Sequence, residues 1–173
     1  MEMTELSRLQ AVVKKLRAED GCPWDKVQTH ESLKPEVIEE AAEVIGGINI
    51  LKETGDSRNL QEELGDLLLQ VVMQSQIAEE EGLFTLEDVA KAASDKMVRR
   101  HPHVFPATDN TGASTAMSWE EIKAQEHEGR EWEKDYLPDA FRESKELLDR
   151  VMQRKGISIS DSVTIKKGRN GNE

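Results

Sequence analysis

Two acidic, apolar-interleaved segments lie within one short stretch, PEVIEEAAEVIGGINILKETGDSRNLQEELGD, from Pro35 to Asp66, and they narrow the possible folds more than any other feature. In a helix, residues three or four apart share a face. Glu36, Glu39, Glu40 and Glu43 then form one acidic stripe, while Glu63 and Asp66, beside Glu62, form a shorter one. Both are interleaved with apolar residues: Val37, Ile38, Ala41, Ala42 and Ile45, then Leu64, Leu67, Leu68 and Val71. The link from Thr54 to Asn59 is short enough to make the two helices antiparallel neighbours. Like charges at helical spacing cost roughly 0.2–0.5 kcal/mol per pair. Carboxylates crowded at such a seam raise one another's pKa or call for cations. A divalent metal answers that need, and an oxygen-only set favours Mg²⁺ or Mn²⁺. One acidic stripe is ordinarily a solvated face. E-x-x-E followed at hairpin distance by E-x-x-D is a more specific pattern.

The rest of the chain reads as further helices. Residues 4–19 carry Leu6, Leu9, Val12, Val13 and Leu16 at helical spacing, with Thr4 as cap. Gly21 to Glu31 is a loop broken by Gly21 and Pro23. The second helix spans about 34–53, with Pro35 in its first turn and Gly46-Gly47 marking a close crossing or a kink. The third spans about 58–81 and stops at Gly82, with Asp56 or Ser57 as cap. Its apolar run from Leu64 to Met73 covers more than one face, which suits the centre of a bundle and a dimer interface. A fourth helix opens with a Thr85–Asp88 capping box and runs to about Arg100. His101 to Met117 is a loop, in which His101 and His103 are expected as loop or cap residues. Ser118 to Glu121 is a second capping box, opening a fifth helix that continues to about Asp135. A sixth runs from Pro138 to about Lys155, and 156–173 is a polar, mobile tail with a short extended patch around 157–165. The expected architecture is an all-α antiparallel helix bundle over residues 1–155.

Composition bounds the function. Over 173 residues the net charge is −12, which argues against a nucleic acid polymer or an anionic membrane as partner. The hydrophobic share, 36%, is low for a self-sufficient core and suits a bundle completed by a partner chain. The single cysteine, Cys22, excludes an intrachain disulfide. No apolar run is long enough to span a membrane and the start has no signal-peptide pattern, so a cytoplasmic protein is expected.

At the acidic hairpin the chain resembles the MazG family of nucleoside triphosphate pyrophosphohydrolases, whose EE-x-x-E … E-x-x-D pattern is matched by Glu39-Glu40-Ala-Ala-Glu43 and Glu63-Leu-Gly-Asp66. GCPWD (Gly21 to Asp25), ELGDLL (Glu63 to Leu68), Asp95-Lys96 followed by RRHPHVF up to Phe105, and SWEEIK (Ser118 to Lys123) resemble the family in the same order. The likeness extends over about residues 5–135. It implies a homodimer, or a tetramer, that hydrolyses nucleoside triphosphates to monophosphates and pyrophosphate with Mg²⁺, Mn²⁺ being a substitute, and that clears non-standard or excess nucleotides. It implies Glu40, Glu43, Glu63 and Asp66 as metal ligands, with Glu39 or Glu36 left to orient or deprotonate water. It assigns Lys96, Arg99 and Arg100 to the substrate phosphates. Trp119 and Lys123 fall at the nucleotide, and Trp24 and Lys26 near its pocket. On their own, Lys96, Arg99 and Arg100 also suit a helix C-terminus, where each cation adds roughly 0.3–1 kcal/mol.

Two other functions share parts of this pattern. A di-iron carboxylate bundle needs Glu-x-x-His on two helices, and neither acidic helix carries a His. A non-catalytic acidic dimer that binds nucleotide or a protein partner as a regulator is not excluded by the acid pattern alone.

Overall fold

The computed structural model describes residues 4–105 and 119–158, and within them the fold is all-helical. Six α-helices follow in order: α1 Glu5–Arg17, α2 Lys34–Thr54, α3 Arg58–Glu80, α4 Leu86–Arg100, α5 Trp119–Glu126 and α6 Leu137–Lys155. Two 3₁₀ turns, Asp25–Val27 and Glu131–Tyr136, complete the described elements. Most of the expected extended patch and of the tail, the Ser118 cap and most of the 101–117 loop lie outside the described residues.

Local chemistry accounts for most boundaries. The Ser7 N–H donates to Thr4 Oγ1 at 3.2 Å and starts α1. Gly55, at φ +76°, ends α2 by donating its N–H to the Leu51 carbonyl at 2.9 Å. Asp56, one residue before the helix's own cap position, accepts the Arg58 N–H at 3.0 Å. At α4 the Thr85–Asp88 capping box forms in both directions. The expected fifth helix differs. It is not continuous to Asp135: α5 stops at Glu126, Gly129 turns the chain at φ +76°, and a 3₁₀ turn follows. Glycine's freedom at positive φ outweighs the helix-favouring charged residues around it.

α2 and α3 pack as an antiparallel hairpin, with a tight approach where Gly47 meets Leu60. A Cβ on Gly47 would lie 2.8 Å from the Leu60 Cα, whereas one on Gly46 would meet nothing within 4 Å. Of the glycine pair, Gly47 therefore makes the close crossing. α1 lies along the C-terminal half of α3, tied by Lys14–Glu79 at 3.2 Å and Arg17–Glu80 at 2.7 Å. The core sits there, made of Val13, Leu33, Val72, Met73, Ile77 and Leu86, with Leu9 and Leu69 against it. This displaces the buried centre of α3 toward its C-terminal half. Leu64, Leu68 and Val71 stay open in the single chain, as do Ile45 and Ile48 of α2. α6 runs beside α2 in the same direction: Lys34 meets Glu143 at 3.2 Å near one end, and Glu43 meets Lys155 at the other. No helix of the described residues is long and apolar enough to cross a membrane.

Candidate active site

The hairpin brings the two acidic stripes together. Glu40 and Glu43 of α2 and Glu63 of α3 each place a carboxylate oxygen within 4.8 Å of the others. Asp66 lies outside this trio, yet its charge acts on Glu40 more strongly than any other. Burial first, then the carboxylates of Asp66, Glu43, Glu39 and Glu63, push the Glu40 carboxyl up to about 7. Among the described residues, Glu40, Glu63 and Asp66 have no cationic side chain as an ion-pair partner. Asn59, one turn before Glu63, donates its amide to Glu63 Oε1 at 2.6 Å and fixes that side chain. A half-buried oxygen-only set that penalises its own ionisation fits a hard dication such as Mg²⁺ or Mn²⁺.

The outer edge of the α2 stripe is different. Glu39 is buried and sits between Arg154, which donates to it, and Lys155 Nζ, 2.6 Å away. Lys155 also donates to Glu43, and Arg154 lies 3.5 Å from Glu36. Both cations come from the last turn of α6. Sequence reasoning did not single them out, because cations are expected at any helix C-terminus and nothing local announces a contact across the bundle. Glu62 stays exposed beside the site.

The basic residues of α4 gather elsewhere. Lys96, Arg99 and Arg100 line a cavity of about 580 Å³ between α4 and α5, with Ile122, Gln125 and Arg130 opposite. Arg100 donates to Glu126 at 2.5 Å and Arg99 to the same carboxylate at 3.0 Å. These bonds, Arg100 first, hold the Glu126 carboxyl below its usual range. The Arg100 guanidinium also lies 4.9 Å from the centre of the Trp119 ring, and His101 meets that ring edge-on at 5.3 Å. His101 donates through Nδ1 to the Met97 carbonyl at 2.7 Å and closes α4. Lys96 and Lys123 make no ion pair among the described residues. α4 packs on α3 and α5 but not on α2, and among the described residues no hydrogen bond or ion pair joins this cationic group to the acidic trio. Trp24 and Lys26 are also apart from it: the 3₁₀ turn holding Lys26 packs on α1, Lys26 reaches the Glu19 carbonyl at 3.3 Å, and Trp24 is exposed.

Residues 28–105, which include the whole acidic hairpin, match the family model of the MazG nucleotide pyrophosphohydrolase domain. The chain carries a domain of the MazG family. It is similar to the nucleoside triphosphate pyrophosphohydrolase/pyrophosphatase MazG of Thermotoga maritima, at 52% identity over 118 residues, covering 68% of this chain and 44% of that protein. It is 44% identical over 126 residues to the nucleoside triphosphate pyrophosphohydrolase of Escherichia coli K12, covering 72% and 46%. YabN of Bacillus subtilis, an uncharacterised protein, is 46% identical over 123 residues, covering 70% of this chain and 24% of its own. The chain thus spans less than half the length of these three relatives. α6 lies beyond the stretch matched by the MazG model.

Proposed function

We propose that this MazG chain hydrolyses nucleoside triphosphates to nucleoside monophosphates and pyrophosphate, and that it removes surplus or non-standard nucleotides from a cytoplasmic pool. One observation carries the reading: Glu40, Glu43 and Glu63 converge within 4.8 Å on a hairpin that lies inside the MazG match. With Asp66 as the fourth ligand, they are the residues proposed to hold Mg²⁺, or Mn²⁺ in its place. When bound, that ion would neutralise charge on phosphate oxygens and acidify a water.

The chain's own groups divide the remaining work. Asn59 keeps the Glu63 carboxylate oriented toward the trio. Glu39 or Glu36, next to the trio on α2, is the proposed group to orient or deprotonate the attacking water. The free ammonium of Lys96 and the guanidinium groups of Arg99 and Arg100 stabilise charge on the departing pyrophosphate. Trp119 offers its ring to the base and Lys123, one turn on, a cation to the phosphates. Trp24 and Lys26 are the outlying candidates for the pocket. A homodimer is part of this proposal, or a tetramer built from it. The exposed Leu64, Leu68 and Val71 of α3, with Ile45 and Ile48 of α2, offer an apolar seam to a second copy beside the acids.

A panel of nucleoside triphosphates, assayed with Mg²⁺ for pyrophosphate against orthophosphate, tests this. Chelator-sensitive pyrophosphate release, lost in Glu63→Gln with helicity unchanged, is the expected result. Tight nucleotide binding without turnover would instead make the chain a regulator.

A further inference from the structure

The acidic cluster is divided, and Glu43 stands on the boundary. On one side, Glu40 and Glu63 share the trio with Glu43. On the other, Lys155 joins Glu43 to Glu39, and Arg154 joins Glu39 to Glu36. We propose that the last turn of α6 is an internal counter-ion for the cation site: Lys155, backed by Arg154, holds Glu43 until a dication draws that carboxylate away, so α6 sets the site's metal affinity. This rests on the metal site proposed above and adds a positioning residue that lies outside the stretch matched by the MazG model.

The argument is electrostatic and geometric. Two positive groups that need the same carboxylate repel each other over a few ångström, and a partly buried site screens that repulsion less than water does. Lys155 touches the trio directly through Glu43, whereas Arg154 touches only Glu36 and Glu39. Release of the turn is mechanically local. Gly156, at φ +67°, ends the helix immediately after Lys155, while Val151 is buried one turn earlier and Leu147 and Leu148 are half-buried. The body of α6 can stay docked on α2 while its final residues let go. Linkage makes the effect reciprocal: if Lys155 weakens dication binding, a dication must loosen Lys155 by the same factor.

Mn²⁺ alone, titrated into the full chain and followed by the electron-spin resonance of the free ion, tests the proposal. Lys155→Met should bind Mn²⁺ about tenfold more tightly than the parent, Lys155→Arg should bind like the parent, and Arg154→Met should shift affinity less than Lys155→Met. In the unaltered protein, Mn²⁺ should speed amide hydrogen exchange in the final turn of α6. Equal or weaker binding by Lys155→Met with unchanged helicity overturns the proposal. So does exchange at that turn that stays constant or slows, a readout that needs no variant. Glu63→Gln separates the two layers: if it binds Mn²⁺ as the parent does, the metal site itself is wrong and the counter-ion falls with it.

Discussion

Gly47 and Leu60 pass so closely that a single methyl group on Gly47 would stand 2.8 Å from the Leu60 Cα. That backbone has no flexible tip that could move aside. The crossing sets the separation of α2 and α3, and with it the distance from Glu40 and Glu43 to Glu63.

Gly47→Ala should therefore destabilise the fold by about 1–3 kcal/mol through overpacking, despite a gain of about 1 kcal/mol in helix propensity. It should weaken Mn²⁺ binding as well, because the helices must part. Gly46→Ala, one residue away and facing open space, should be neutral or stabilising by up to about 1 kcal/mol. Urea denaturation of the two variants side by side decides this. Equal behaviour would remove the crossing from the account.

The pH dependence of the metal-stripped protein should report Glu40. Its carboxyl, pushed up to about 7 from 4.5, keeps a proton in the folded chain that the unfolded chain releases. Stability from this group is complete below the unfolded value and is lost as pH rises through the folded one. The loss is about 1 kcal/mol, since the group is partly solvated and screened. It corresponds to about 2–4 °C in Tm for a chain of this size. Thermal melts in chelator should fall between about pH 5 and about pH 8, and Mg²⁺ should restore the difference. Glu40→Gln should flatten the fall and melt higher at the alkaline end, while losing turnover. A melt that rises across that window in the unaltered chain contradicts the arrangement.

Lys96 and Arg100, adjacent on the α4 cavity wall, should separate function from stability. Lys96 has no ion-pair partner among the described residues, so Lys96→Ala should lower kcat/KM on the order of tenfold to a hundredfold with little change in Tm. Arg100 holds Glu126 and faces Trp119, so Arg100→Ala should lower both activity and Tm. If Lys96→Ala unfolds the chain, its role is to complete the end of α4, not to bind phosphate.

Much of this architecture is legible in the sequence because its causes are local. Thr4, Gly55 and the Thr85–Asp88 pair mark helix ends by bonding within a turn of themselves, and the acidic stripes meet because a short link folds one helix back on the other. The Gly129 turn is hidden by the charged, helix-compatible residues on either side of it. The grip of Arg154 and Lys155 on Glu39 and Glu43 joins residues more than a hundred positions apart, and helical periodicity carries no trace of such a pairing. The exposed Leu64 and Leu68 were equally unreadable as such, since a doubly apolar helix says that two faces want cover but not which one the same chain supplies.

Gly55 to Ser57 alone join α2 to α3, and every member of the carboxylate trio belongs to that hairpin. In folding terms the site is a short-range contact, of the class that forms early because little chain must be closed into a loop. On that ground the like charges are expected to meet first, before the cations of α6, more than a hundred residues further along the chain, reach them.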